Sequence, residues 1–344
     1  MRKVLVVPGA LVGEPDWDEA GRALLARGAL PVLDLLRRAP RRVRAPDAPW
    51  SDGAAHLHWL ADAFQVPARP APTAPYAWNA NAGVAEPPAE PGQIWFCEPV
   101  HLVLRPERTV LSPIDRPGLD ELEVRSLLED AADSAREAGA DLQVRHGRWY
   151  LRVPQGWDLQ ARPLQAVLGA SVETRMPTGA GASHWRRLLN EIQMRWYVNA
   201  VNTARESRGQ QTANALWLHG GGAWTALPAS PFAEVESDDP VVLGWHRAGR
   251  PAGTAHDRAD ILTVWPQLFE SYWRKDWDAW SRAWIGLQDI VLAHRAAPRS
   301  AGQRPLEVVA CGRWSVAAFS LREGLARFAF GRRSLRECLV EAAS

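Results

Sequence analysis

Val4-Leu5-Val6-Val7-Pro8-Gly9, close to the start of the chain, decides how the rest is read. An unbroken aliphatic run rich in β-branched residues is the pattern of a strand covered on both faces. Pro8-Gly9 ends it with a turn, and Asp16 or Asp18 is placed to cap a helix through Ala20 to Ala26. Strand, turn and helix in that order open an α/β fold. The same stretch behind Met1-Arg2-Lys3 mimics a secretory leader, but such a leader needs about 7–15 apolar residues. Here Pro8 interrupts the run, and acids follow at Glu14, Asp16 and Asp18.

Outward from this strand, helical patterning continues at Leu30–Leu36 and Ala54–Phe64. Residues 67–92 break it with a Pro/Ala-rich stretch unable to sustain a helix or a central strand, which reads as a linker. Beyond it, Ile94–Phe96, His101–Leu104 and Thr109–Ser112 read as short strands. A helix follows over Leu119–Ala138, stopped by Gly139. Leu142–Arg145 and Trp149–Val153 alternate as a half-buried hairpin about His146-Gly147. From residue 184 the α/β rhythm returns: one long helix over His184–Glu206, a strand at Ala215–Leu218, and a glycine turn at Gly220–Gly222. Then come a strand or short helix at Ile261–Gln267, a helix over Ser271–Leu292, a hairpin of Glu307–Cys311 and Ser315–Phe319 about Gly312-Arg313, and helical segments at Leu321–Phe328 and Leu335–Glu341. The expected organisation is a discontinuous α/β core of residues 1–66 and 184–344, a linker over 67–92 and an inserted α+β domain over 93–183.

Composition narrows the class. The chain has 344 residues, is 47% hydrophobic and carries a net charge of +1. It is long enough for a substantial core and has no bulk field to draw nucleic acid or an anionic membrane. Lysine occurs only at Lys3 and Lys275, so arginine carries the positive charge, a bias that reads as a GC-rich genome. Cys97, Cys311 and Cys338 are scattered without a C-x-x-C pair, which argues against a disulfide framework or a zinc site and fits a cytoplasmic protein. No stretch approaches the roughly 20 apolar residues of a membrane span.

Candidate chemistry is sparse. Trp273, Trp277, Trp280 and Trp284 recur at helical spacing as one stripe, which either fills a core or docks a partner. His219-Gly220-Gly221-Gly222 after a strand is the form of an esterase oxyanion loop, yet the G-x-S-x-G elbow that such a site demands is missing. Neither a P-loop nor a dinucleotide fingerprint occurs. His56 and His58 lie two apart on a helix and point to different faces. His256-Asp257 with Asp260 is the one local His/Asp cluster, and it needs ligands from elsewhere to hold a metal.

Asn190–Met194, Val201-Asn202-Thr203-Ala204-Arg205, Gly209 and Ala213–Gly222 together carry a family likeness. This stretch resembles the archaeal-type cofactor-independent phosphoglycerate mutases of the alkaline phosphatase superfamily, and a bacterial group labelled phosphoglycerate mutase by similarity. The resemblance covers about a tenth of the chain. It implies a doubly wound sheet interrupted by a smaller α+β domain, two divalent metals, a serine or threonine phosphoryl acceptor and a phosphoglycerate substrate. The residues depart from that pattern where chemistry would start. The family's Asp-Gly-x-x-Asp turn after the first strand is replaced by Pro8-Gly9-Ala10-Leu11, and the late Asp-x-x-Gly-His ligand runs are absent. Phosphoryl transfer needs cations held by converging hard ligands. The expectation is a scaffold without cofactor or metal. It keeps a site for a small phosphorylated or carboxylate ligand at Asn202, Arg205, Asn214, His219, Gly220 and Gly221, and has a binding or regulatory role. The alternatives are an active mutase or phosphatase recruiting His256, Asp257, Asp260, Asp238 and Asp239, and an interaction module built on the tryptophan stripe.

Overall fold

The computed structural model describes residues 2–44, 53–68, 70–78, 80, 88–89, 91–114, 118–168, 171–249, 260–296, 305–321 and 332–342. The chain divides into two compact units: one of Met1–Val66 with Leu227–Ser344, the other of Pro67–Ala226.

In chain order the first unit begins with β1 (Lys3–Pro8), α1 (Trp17–Leu25), α2 (Pro31–Arg38), β2 (Arg41–Arg44) and α3 (Ala55–Ala63). The second contains α4 (Ala74–Ala77), β3 (Gln93–Arg105), β4 (Arg108–Pro113), α5 (Glu121–Glu137), β5 (Asp141–Arg145), β6 (Arg148–Val153), α6 (Leu164–Val167), α7 (Ala182–Tyr197), α8 (Ala200–Ser207) and β7 (Ala215–Ala223). The chain then returns to the first unit with β8 (Glu234–Glu236), α9 (Pro240–Ala248), β9 (Ile261–Val264), α10 (Phe269–Arg274), α11 (Trp277–Ala296), β10 (Leu306–Cys311), β11 (Val316–Leu321) and α12 (Leu335–Leu339).

The first unit is built on a sheet ordered β2-β11-β10-β1-β9-β8. β10, β1, β9 and β8 run parallel, with Val6 paired to Val309 on one side and to Val264 on the other. Val4 to Val7 are each at most 2% exposed, so β1 is the doubly covered central strand its aliphatic run implies. On one face Leu5, Val7, Val308, Ala310 and Phe319 pack with α1, α2, α11 and α12. In the same unit Phe64, at the end of α3, meets Phe232, which precedes β8, and Trp245 of α9. The fold is therefore α/β, with a second unit interrupting the first in sequence.

The second unit is an antiparallel sheet ordered β4-β3-β6-β5, with β7 pairing β3. α5 and α7 cover one face through Leu127, Ala131, Trp185, Leu188, Ile192 and Trp196. A capping box starts α5: the Asp120 side chain accepts the Leu122 and Glu123 amides, and the Glu123 side chain accepts the Asp120 amide.

Several sequence expectations need correction. The unit that follows Val66 runs on to Ala226, so the expected return to the core at residue 184 comes later. Residues 184–226 join the second unit because β7 supplies an outer partner to β3, from Gln93 to Val100. Residues 67–92 are not a bare spacer among those described: α4 is buried in that unit, and the Tyr76 hydroxyl donates to the Thr225 carbonyl at 2.9 Å. Strands expected at 94–96 and 101–104 are one strand, β3. The expected helix 184–206 is two, because the Asn199 side chain caps α8 by accepting the Val201 amide. The expected helix 271–292 is also two, parted where Lys275 adopts a left-handed φ of 55°. The helix expected at 321–328 lies outside the described residues, apart from Leu321, which ends β11. No described helix is long and apolar enough to cross a membrane.

Candidate functional site

The residues singled out from the sequence do not converge. Asn202 and Arg205 are buried on α8 and hold the approach to β7. Asn202 Nδ2 donates to the carbonyls of Trp196 and Ala213, both at 2.8 Å, and its oxygen accepts the Ala213 amide at 3.0 Å. Arg205 donates from Nη1 to Glu123 at 2.6 Å and to the Gly118 carbonyl, and from Nε to the Gln211 carbonyl. Asn214 exchanges hydrogen bonds with the backbone of Leu102 on β3. These groups brace the start of β7, whereas Gly220 lies six residues further on, about 20 Å along an extended strand.

His219, Gly220 and Gly221 belong to β7 itself, not to a turn beyond it. Glycine is required there by close approach: a Cβ on Gly221 would fall within the Trp95 indole, and one on Gly220 would strike Thr73. The His219 ring lies over Phe96 at 5.1 Å, and its Nε2 is 3.9 Å from Glu98. Burial pushes the Glu98 carboxyl up, but His219 and Arg148 outweigh it and leave the group below its usual range.

A pocket does form in the first unit, where the parallel strands end. The segments following β1, β9 and β10 line a half-open cavity of about 430 Å³. Gly13–Asp16 form one side, Tyr272, Trp273 and Lys275 a second, and Arg313 and Trp314 a third; Glu341 and Ala342 complete the lining. Open α/β sheets receive ligands at this carboxyl edge. The chain's C-terminal segment is strapped across the loop after β1: the Val12 amide donates to the Leu339 carbonyl at 2.8 Å, and the Glu341 amide to the Val12 carbonyl at 3.0 Å.

Arg313 is the central cation. Its guanidinium lies 5.2 Å from the Trp273 ring centre and 4.9 Å from that of Trp314, an arrangement that orients the planar fork. Glu341 Oε1 accepts the amides of Trp314 and Ser315 at 2.7 and 3.1 Å. Burial nevertheless raises its pKa to about 6, outweighing those amide bonds and Arg313. Burial pushes the Tyr272 phenol far up, with the Glu341 charge adding to it, and does the same to the Cys311 thiol. Neither is a nucleophile at neutral pH.

The Glu341 shift has a sign. A carboxyl raised from 4.5 to about 6 on folding makes the folded state the better proton binder. Its stabilising contribution is complete below about 4.5 and is lost as pH rises through about 6. Glu341→Gln is expected to flatten this dependence. Thermal melts from pH 4.5 to 8 should show wild type losing on the order of 2 kcal/mol more than the variant. Parallel curves would remove Glu341 as the cause.

The metal pair implied by the family resemblance does not fit the donors at this edge. Glu14 pairs with Arg336, Asp16 with Lys275 at 2.6 Å, and Glu341 with backbone amides. Among the described residues no three His, Cys, Asp or Glu side chains gather as metal ligands. Of the recruits considered from sequence, Asp239 caps α9 through the Val241 amide, and Asp260 pairs with Arg2. His256 and Asp257 lie outside the described residues.

The pocket has little local sequence signature. Gly312-Arg313 has the pattern of a turn and Trp273 that of one member of a stripe. The usable signal was a Gly-Arg-Trp-Ser turn directly after a buried strand; that the chain's end folds back onto it had no local signature.

The architecture is that of an interrupted α/β protein with a cavity at the carboxyl edge of its parallel strands. In structure the chain is similar to the PH0037 protein of Pyrococcus horikoshii, with a TM-score of 0.51 and 12% identity over 98% of this chain and 92% of that one. At that identity the likeness is one of fold alone. The cofactor-independent phosphoglycerate mutase of Thermoplasma acidophilum DSM 1728 overlaps at a TM-score of 0.36 with 18% identity, covering 97% of this chain and 96% of that one, too distant to carry an argument. No protein-family model and no curated protein matches the sequence.

Proposed function

We propose that this chain is a cytoplasmic binding or regulatory protein on a phosphoglycerate mutase-like scaffold. It takes a small phosphorylated or carboxylate ligand in the first unit's pocket without a metal centre. The observation that carries this reading is the Arg313 guanidinium, stacked by Trp273 and Trp314 at the wall of a cavity on the sheet's carboxyl edge. A planar guanidinium held in place forks onto carboxylate or phosphate oxygens. The carboxylates around it are tied to Arg336, Lys275 and backbone amides, which leaves a poor donor set for hard cations. The reading moves the ligand from Asn202, Arg205, Asn214 and the β7 glycines to this pocket, because those side chains brace the second unit.

Calorimetric titration of the full chain with 3-phosphoglycerate in the presence of EDTA is expected to show one site. Arg313→Ala should weaken binding at least about tenfold while the chain stays folded, the scale of one charge-assisted hydrogen bond. Tight binding of two Mn²⁺ ions per chain, with cleavage of a phosphomonoester or interconversion of phosphoglycerates, would instead establish the active-enzyme alternative.

A further inference from the structure

We infer that the turn Gly312–Ser315 is an oxyanion cradle and that Glu341, carried on the C-terminal strap, is its built-in occupant, displaced when a phosphate or carboxylate ligand enters the pocket. This deepens the proposed oxyanion-binding reading and rests on it.

Two successive amides, of Trp314 and Ser315, converge on the single oxygen Oε1 of Glu341 at 2.7 and 3.1 Å. Adjacent backbone N–H groups aimed at one point form a concave site for an anion. The turn is held in that shape independently, since the Gly312 amide donates to the Ser315 carbonyl at 3.0 Å. Gly312 also keeps the cradle open: the Glu341 carboxyl lies where a Cβ would sit.

The occupant is replaceable. The strap is fastened by backbone hydrogen bonds between Leu339, Glu341 and Val12, so the carboxyl can swing out while the strap stays in place. The charged and titratable groups facing it are Arg313 of the same turn, Tyr272 of α10 and Cys311 at the end of β10. Across the pocket Lys275 is already paired with Asp16. Burial opposes the ionised form of Glu341, so at neutral pH the carboxylate sits in the cradle against a desolvation cost. An incoming oxyanion receives the same two amides and the charge of Arg313, which in the unliganded protein acts on Glu341.

Inorganic phosphate is the probe, titrated at pH 7.5 into full-length wild type, Glu341→Ala and Glu341→Gln, with amide resonances of Trp314 and Ser315 followed by NMR. Glu341→Ala is expected to bind phosphate about tenfold or more tightly than wild type, the scale of one charge-assisted contact removed from competition. Both amides should shift on binding. Glu341→Gln, which keeps an oxygen without the charge, should fall between, and it decides the matter if Glu341→Ala does not fold. Equal affinity in wild type and variants, or weaker binding in the variants, overturns the competition while leaving the pocket reading intact. Phosphate binding that leaves both amides unmoved overturns the cradle. No binding to any of the three proteins removes the cradle and the pocket reading together.

Discussion

Trp280→Ala is expected to lower the unfolding free energy by about 3–5 kcal/mol, the range for deleting a fully buried large aromatic. Trp280 is 0% exposed and stacks edge-on between Trp277 and Trp284, at 5.9 and 5.6 Å. Its Nε1 donates to the Gly9 carbonyl at 2.7 Å, which ties α11 to the turn that ends the central strand. Truncation opens a cavity and orphans a buried carbonyl in one step. Urea unfolding followed by tryptophan fluorescence and by far-ultraviolet dichroism measures the loss. Unchanged stability together with loss of self-association or of a bound partner would revive the interaction-module alternative. Trp273 differs from the rest of the stripe. The break at Lys275 puts it on α10, where it faces Arg313 and the pocket.

Arg205→Ala should cost a similar amount, about 3–5 kcal/mol, because it strands a buried charge. Arg205 and Glu123 are 3% and 10% exposed at the side chain, and their contact is 2.6 Å. Arg208 also reaches Glu123 at 2.9 Å, but its side chain is 52% exposed, so it neutralises only part of what is left. Glu123 is at the same time the N3 member of the α5 capping box, where its side chain accepts the Asp120 amide, so the loss spreads to the start of that helix. Replacing both partners with apolar residues of similar volume, Arg205→Met with Glu123→Leu, is expected to recover part of the stability. An Arg205→Ala protein within about 1 kcal/mol of wild type, by the same unfolding measurement, would mean that the ion pair contributes little. It would also return Arg205 to the candidate ligand residues.

Arg205 illustrates how a sequence pattern misleads. The Asn202, Arg205 and Asn214 grouping is visible in the sequence because the residues are close in number and match a family motif. Their polar groups point inward to carbonyls and to Glu123, which is 82 positions from Arg205. Polar side chains near a strand serve a fold as readily as a ligand, and only their partners tell the two apart. The glycines of β7 have the sequence pattern of a turn, the purpose glycine usually serves. Here they make room for Trp95 and Thr73, a demand set by residues more than a hundred positions away.

By itself the sequence determined the α/β class, the buried central strand Val4–Val7, the α5 helix and the β5–β6 hairpin. Each follows from periodicity, capping or turn chemistry within a dozen or so residues. It also located most of the first unit's helices, since amphipathic spacing is a local property. Tertiary structure decided that residues 67–226 form a unit and what lies at the sheet's carboxyl edge. The pocket joins residues 13–16, 272, 273, 275, 313–314 and 341–342, and no local pattern encodes their meeting. They come together because the parallel pairing of β1 with β9 and β10 brings three separate strand ends to one edge, where the strap through Val12 adds the chain's end.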